Sequence, residues 1–269
     1  MSKHTDIKRI NVNTFQKMKD AGEKIATLTA YDYTSAVILD KAGIELILVG
    51  DSLGVVVNGY ENTLPVTLDE IIYHCKSVKR GAKRAFLVAD MPFGTYHVSD
   101  EQGLANCVRV IKETGFDAVK IEGGAEKASL VSALTGAGIN VMGHIGLMPQ
   151  KVSTMGGFKI QGREGHDAIL ADALALQEAG AFSIVVEGVV GDAASYVSSQ
   201  LKIPTIGIGA GNGCDGQVLV FHDVFGLFDD FVPKFIKRYA DVKKVISKAC
   251  ANYIKDVKSS AFPSDEHTY

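Results

Sequence analysis

The sequence predicts a single (βα)8 TIM barrel, and three observations carry that reading. Short apolar runs alternate with amphipathic stretches along 269 residues, the pattern of a parallel sheet with helices over its outer face. Gly43, Gly115, Gly138 and Gly180 each close a helical stretch a few residues before the next apolar run, as glycine at a left-handed C-terminal cap does. The runs LILVGDS, AFLVAD, AVKIEGG, NVMGHIG and FSIVVEG break off at or near Asp51, Asp90, Lys120 with Glu122, His144 and Glu187. A barrel draws its catalytic groups from the C-terminal ends of several strands. An open doubly wound sheet fits the same alternation, but gathers its ligand groups at one switch point. The spread of polar strand ends favours the barrel.

In chain order, residues Thr14 to Gly22 are expected to form a short extra helix before the first strand. Strands are expected near residues 25–32, 46–51, 85–90, 118–122, 140–144, 182–187 and 204–208, with a weaker eighth, QVLVF, at 217–221. Helices are expected over TSAVILDKAG, EIIYHCKSVKR, GLANCVRVIKETG, EKASLVSALTGAG, DAILADALALQEAG and DAASYVSSQL. Thr67 to Glu70 and Ser99 to Gln102 have the capping-box form, a hydroxyl at the N-cap and a carboxylate or amide three residues on. His222-Asp223 is expected to be a turn in which Asp223 caps the last helix. From Lys255 the chain becomes polar, so a single barrel domain over 1–269 is expected to end in a polar tail from about residue 256.

With 46% hydrophobic residues the chain can bury a large core, and a net charge of −3 without a basic stripe gives no sign of a nucleic-acid partner. The N-terminal segment lacks the apolar region of a secretion signal, and no apolar run reaches the roughly 20 residues of a membrane span. Cys75, Cys107, Cys214 and Cys250 are scattered without metal-ligand spacing, which suits packed, reduced thiols and a cytoplasmic protein.

At the expected rim, Asp51 and Asp90 end neighbouring strands. Two adjacent carboxylates either share a proton or bind a cation. Oxygen ligands favour Mg²⁺, which takes one or two carboxylates and completes its shell with water and substrate oxygens. The plainer alternative is that both aspartates cap turns. Lys120 and Glu122 are two apart and share a strand face. They suit an anionic substrate and the metal or its waters, or else a buried ion pair. A Schiff base at Lys120 is disfavoured because a carboxylate so close keeps the amine protonated. His144 is either a satisfied core residue or a donor to a substrate oxygen. Glu187, after Val185 and Val186, suits a general base, or an ion-pairing or capping role.

Gly211 to Gly216 matches G-x-G-x-x-G but is followed by a strand rather than a helix, so it is not a dinucleotide fingerprint. Its glycines are read as letting backbone approach a flat ligand. Together these pieces suggest proton abstraction beside a carbonyl, with a divalent cation stabilising the enolate.

The motifs YDYTSA, VGDSLG, NTLPVTLDEIIYH, ADMPFG, VKIEGG, GHIGLMPQ, GGFKIQGR, IGIGAGNGCDGQVLV and FPSDEHTY, in this order from about Ile10 to the C-terminus, resemble the ketopantoate hydroxymethyltransferase family. The resemblance implies a (βα)8 barrel that transfers a one-carbon unit from 5,10-methylenetetrahydrofolate to 3-methyl-2-oxobutanoate, giving 2-dehydropantoate for pantothenate synthesis. By motif it implies Mg²⁺ on Asp51 and Asp90, with Glu122 completing the metal site directly or through water. Ser52 and Lys120 would hold the substrate carboxylate, His144 would form a polar wall, and Glu187 would be the base. Asp51 and Asp90 would thus also border the substrate. A homo-oligomer, typically a decamer, is implied as well. The chain departs from the family at Gly188-Val189-Val190, where members often have Cys-Val-Pro after the glutamate. The rivals are a Mg²⁺ barrel of the isocitrate lyase and phosphoenolpyruvate mutase group, whose lyases carry a KKCGH loop absent here, and a non-catalytic barrel that binds a metabolite.

Overall fold

The computed structural model describes residues 8–152, 154, 156–228 and 232–269. Its contacts divide the chain into two compact units, residues 1–220 and 221–269. In the first, eight parallel strands close into a barrel in sequence order. They are β1 Ile25–Thr29, β2 Leu46–Val49, β3 Phe86–Asp90, β4 Ala118–Glu122, β5 Asn140–Gly146, β6 Ser183–Glu187, β7 Thr205–Ile208 and β8 Gly216–Leu219. β8 closes on β1 with Gly216 to Leu219 beside Ile25 to Leu28. The helices of this unit are α1 Val12–Ala21, α2 Tyr33–Ala42, α3 Leu53–Val56, α4 Leu68–Gly81, α5 Asp100–Thr114, α6 Ala128–Gly136, α7 Asp167–Glu178 and α8 Gly191–Gln200.

The glycine signals locate the helix ends. Gly43, Gly115, Gly138 and Gly180 all have positive φ, from 65° to 96°, and the glycine N–H bonds back to Asp40, Ile111, Thr135 and Gln177 respectively. The capping box at α4 is complete, with the Glu70 amide on Thr67 Oγ1 and the Thr67 amide on Glu70 Oε2. At α5 only half of it forms. Ser99 accepts from the Gln102 amide, whereas the Gln102 side chain accepts from Val98, one residue short of the cap.

Period-2 alternation turns the strand sequences into a site. Ile25, Leu46, Leu48, Phe86, Val88, Ala118, Met142, Val185, Ile206 and Val218 form one buried cluster inside the barrel. Phe15 of α1 joins it, with its ring 5.3 Å from that of Phe86 and 6.1 Å from that of Phe182. Phe86 opens β3 and Phe182 precedes β6, so α1 plugs the end where the strands begin. Truncating a buried phenylalanine of this kind costs about 3–5 kcal/mol. Two residues on from Val88, Ala118, Met142 and Val185 come Asp90, Lys120, His144 and Glu187, so the same face that is apolar at the plugged end becomes ionisable at the other.

The second unit differs from the sequence expectation in two places. His222 and Asp223 lie inside a one-turn helix, α9 Phe221–Val224. The last helix, α10 Val242–Lys258, is capped by Asp241, whose side chain accepts from the Lys244 amide. Asp223 therefore does not cap it: Asp241 stands at the correct N-cap position, directly before the first helical residue. The polar segment from about residue 256 begins as the last turn of α10 and continues into a short turn at Asp265–His267, where Ser264 Oγ lies 2.8 Å from His267 Nδ1. Among the described residues no helix is long and apolar enough to cross a membrane.

Candidate active site

Six of the seven side chains picked out by sequence lie in one continuous set of contacts, and the seventh borders it. The barrel register places Asp90 beside Lys120, Glu122 beside His144, and Gly146 beside Glu187. Lys120 Nζ lies 2.8 Å from Asp90 Oδ1 and 3.2 Å from His144 Nδ1. The other imidazole nitrogen, Nε2, lies 3.2 Å from Glu187 Oε2, and Nδ1 is 3.5 Å from Glu122 Oε2. Asp51 follows β2, and its backbone N–H donates to Asp90 Oδ2 at 3.1 Å. Gly50, on the turn before it, leaves room for the Ser52 hydroxyl, which a Cβ there would meet at 2.9 Å. Ser52 Oγ is 2.8 Å from the Tyr31 hydroxyl.

Burial sets the charges. The side chains of Asp90, Lys120 and His144 are 3–5% exposed, whereas Glu187 is 21% exposed, so Glu187 is the member of this set that reaches solvent. Burial, aided by the Asp90 charge, pushes Asp51 up to about 7 against the pull of Lys120. Burial likewise raises Glu122 to about 9, with Lys120 opposing. Burial alone would depress Lys120, but Asp90, Glu122 and Asp51 outweigh it and hold the ammonium above its ordinary range. Burial and the Lys120 charge lower His144, which keeps its imidazole neutral.

Four carboxylates thus surround one ammonium, an excess of negative charge that the protein alone meets by protonation. An all-oxygen donor set of this kind fits a hard divalent cation. Asp90 Oδ1, buried and held by Lys120 without an aligned hydrogen bond, is a donor atom with capacity to spare. Among the described residues no three His, Cys, Asp or Glu side chains converge as a metal cluster. The Asp51 backbone N–H on Asp90 Oδ2 makes these two aspartates the residues that could hold a cation together, while Glu122 Oε2 lies 3.5 Å from His144 Nδ1.

Two residues of the site lay outside the sequence reading. Gln150 is buried in a 3-10 turn, Pro149–Lys151. It sits three residues past Leu147 in the GHIGLMPQ motif, where a proline followed by an amide was the available signal. Its Nε2 donates to Asp51 Oδ2 and to the Met91 carbonyl, each at 3.0 Å. Tyr96, fully buried, donates its hydroxyl to Gln150 Oε1 at 2.7 Å; nothing in its local sequence marks it.

The loop after Glu187 is held by backbone. The Gln161 amide donates to the Gly188 carbonyl and the Val190 amide to that of Gln161. Gly188 has φ 56°, and a Cβ there would meet Leu147 Cβ at 2.8 Å. Two glycines of the Gly211–Gly216 segment are required by chain packing. A Cβ on Gly213 would meet Ser195 of α8 at 2.5 Å, and one on Gly216 would meet the Ile25 carbonyl at 2.5 Å.

The likenesses to known proteins are extensive. The profile of the family described as ketopantoate hydroxymethyltransferase matches residues 9–265. A 3-methyl-2-oxobutanoate hydroxymethyltransferase of Clostridium beijerinckii is 52% identical over 96% of this chain and 94% of its own. One of Carboxydothermus hydrogenoformans is 51% identical over 97% and 95%. In fold the chain is similar to 2,3-dimethylmalate lyase, a member of the phosphoenolpyruvate mutase and isocitrate lyase superfamily, with a TM-score of 0.59 over 96% of this chain and 91% of that one. At 15% identity that likeness shows a shared barrel and no more. A profile match over nearly the whole chain, with relatives at half identity across their own full length, settles the family: the chain belongs to the ketopantoate hydroxymethyltransferases.

Proposed function

We propose that this barrel transfers a hydroxymethyl group from 5,10-methylenetetrahydrofolate to 3-methyl-2-oxobutanoate, giving 2-dehydropantoate for pantothenate synthesis. The observation that carries the chemistry is the unbroken run of contacts from Asp51 and Asp90 through Lys120 and His144 to Glu187. Its two ends, Asp51 with Asp90 and the part-exposed Glu187, support reading a cation site at one and a base at the other.

Asp51 and Asp90 would hold Mg²⁺, with Glu122 acting through water. The bound cation would draw charge from the 2-oxo group and so acidify C3. Lys120, kept as an ammonium by the carboxylates around it, and Ser52 face the substrate carboxylate. Glu187 takes the C3 proton, breaking the C–H bond. C3 then forms a bond to the methylene carbon of the folate as its two bonds to nitrogen break; water supplies the hydroxyl, and the proton taken from C3 and the second proton of the water go to the two nitrogens. His144, neutral and between Lys120 and Glu187, orients the base and lines the pocket. The reading extends to a homo-oligomer, a decamer by the family resemblance, and to a cytoplasmic location, which the scattered thiols favour.

The test is proton exchange. With Mg²⁺ and 3-methyl-2-oxobutanoate in D₂O, NMR should show metal-dependent loss of the C3 proton signal. Glu187→Gln should slow that exchange by about 100-fold or more, the range of a general base. Exchange at the wild-type rate in that variant removes Glu187 from the role. A coupled assay with methylenetetrahydrofolate then tests the transfer itself.

A further inference from the structure

Gln150 touches the ends of three strands at once. Its side-chain amide gives one hydrogen to Asp51 Oδ2, after β2, and one to the Met91 carbonyl, after β3. Its backbone N–H donates to Glu122 Oε1, at the end of β4, at 2.9 Å. The amide cannot be flipped without placing its oxygen against a carboxylate and a carbonyl, both acceptors. Tyr96 holds it in that sense. The Tyr96 hydroxyl donates to Gln150 Oε1 at 2.7 Å and accepts from the Glu122 amide at 3.3 Å, so it is tied to β4 as well. Every polar atom of the Gln150 amide is thereby committed in a buried setting, where an unmade bond is expensive.

We infer that Gln150, oriented by Tyr96, is a positioning residue that fixes the Asp51 carboxylate for cation binding and sets its separation from Glu122. The inference rests on the reading of Asp51 as a metal ligand. The physical reason is rotational. A carboxylate at the start of a turn has a soft terminal torsion, and Asp51 receives one side-chain hydrogen bond to pin it, from Gln150. With Oδ2 taken by Gln150, Asp51 Oδ1 would be the oxygen left to hold a cation. It also couples two carboxylates that do not touch, because the side chain of one residue holds Asp51 while its backbone holds Glu122. Ligand-orienting hydrogen bonds of this kind typically change metal affinity by 10- to 100-fold when removed.

The experiment measures Mn²⁺ binding to the full-length protein, by the loss of the free-ion electron paramagnetic resonance signal. It compares the wild type with Asp51→Asn, Gln150→Leu, Gln150→Glu and Tyr96→Phe, with a thermal melt of each. Asp51→Asn should abolish tight binding. Gln150→Leu and Gln150→Glu should weaken it by about 10- to 100-fold, and Tyr96→Phe by a smaller factor, with the bound-ion spectrum broadened in each. Wild-type affinity in Asp51→Asn overturns the metal reading itself. Loss in Asp51→Asn with wild-type affinity in Gln150→Leu overturns the positioning role alone, as does a lowered melting temperature with affinity unchanged. If Gln150→Leu does not fold, Tyr96→Phe decides, and wild-type affinity and spectrum there count against the inference.

Discussion

His144 Nε2 lies 3.2 Å from Glu187 Oε2 while its Nδ1 lies 3.2 Å from Lys120 Nζ. Because the surrounding carboxylates keep Lys120 an ammonium, Nδ1 must accept, and the single hydrogen of the neutral imidazole sits on Nε2, facing Glu187. The imidazole therefore bridges the Asp90–Lys120 pair and Glu187.

His144→Ala should consequently slow C3 proton exchange without weakening Mn²⁺ binding. The 3.2 Å contact is not an aligned hydrogen bond, so it is worth less than the about 1.5–3 kcal/mol of a hydrogen bond to a charged group, and a loss of up to about 10-fold is expected. His144→Gln, whose amide can still donate, should recover part of it. Exchange at the wild-type rate in His144→Ala would mean that the 3.2 Å contact orients nothing.

Lys120 should never form an imine. Burial works to neutralise it, but Asp90 at 2.8 Å together with Glu122 and Asp51 outweighs burial, and an ammonium is not a nucleophile. Borohydride added during turnover should leave the protein mass unchanged. A mass increase matching reduced substrate, absent in Lys120→Met, would overturn the assignment.

The strand ends of the site were legible because a buried strand has no reason to finish on Asp90, Glu122 or Glu187 unless that end meets water or ligand. Period 2 then placed Lys120 and Glu122 on one face without any structure. Gln150 and Tyr96 were not legible for the opposite reason. They come from loops between strands, where no periodicity fixes direction, and their partners lie 99 and 54 residues away. The Gly211–Gly216 segment is ambiguous in sequence because close backbone approach looks the same whether the neighbour is a ligand or Ser195, and the structure adds the Ser195 neighbour. Asp223 misled because several acidic residues precede α10, and only geometry distinguishes the N-cap.

Gly213→Ala separates packing from ligand contact. A methyl meeting Ser195 Cβ at 2.5 Å and its Cα at 2.8 Å must push α8 from the barrel, at a cost of about 1–3 kcal/mol. Urea denaturation should report that loss while Mn²⁺ affinity stays at the wild-type value. Unchanged stability with weakened folate or substrate binding would restore a ligand-facing role to this turn.

Glu70 makes stability depend on acid in a direction that can be worked out. Its Oε2 accepts from the Thr67 amide and hydroxyl, and its Oε1 accepts from Tyr60 and Asn58, so one carboxylate caps α4 and ties down the segment after α3. The Thr67 backbone N–H, more than the opposing burial, lowers its pKa from 4.5. A carboxyl lowered on folding binds fewer protons in the native state, so its contribution is complete above the unfolded value and is lost as pH falls through the folded one. Chemical denaturation from pH 7 down to pH 3 should therefore show wild type more stable than Glu70→Gln at neutral pH, with the gap closing below about pH 4.5. Thr67→Ala should lose about 1 kcal/mol at pH 7 from the missing cap and should leave Glu70 less acid-sensitive, because the hydroxyl that bonds the carboxylate is gone. A gap between wild type and Glu70→Gln that stays constant through pH 3 would show that the charge of Glu70 adds nothing to the cap.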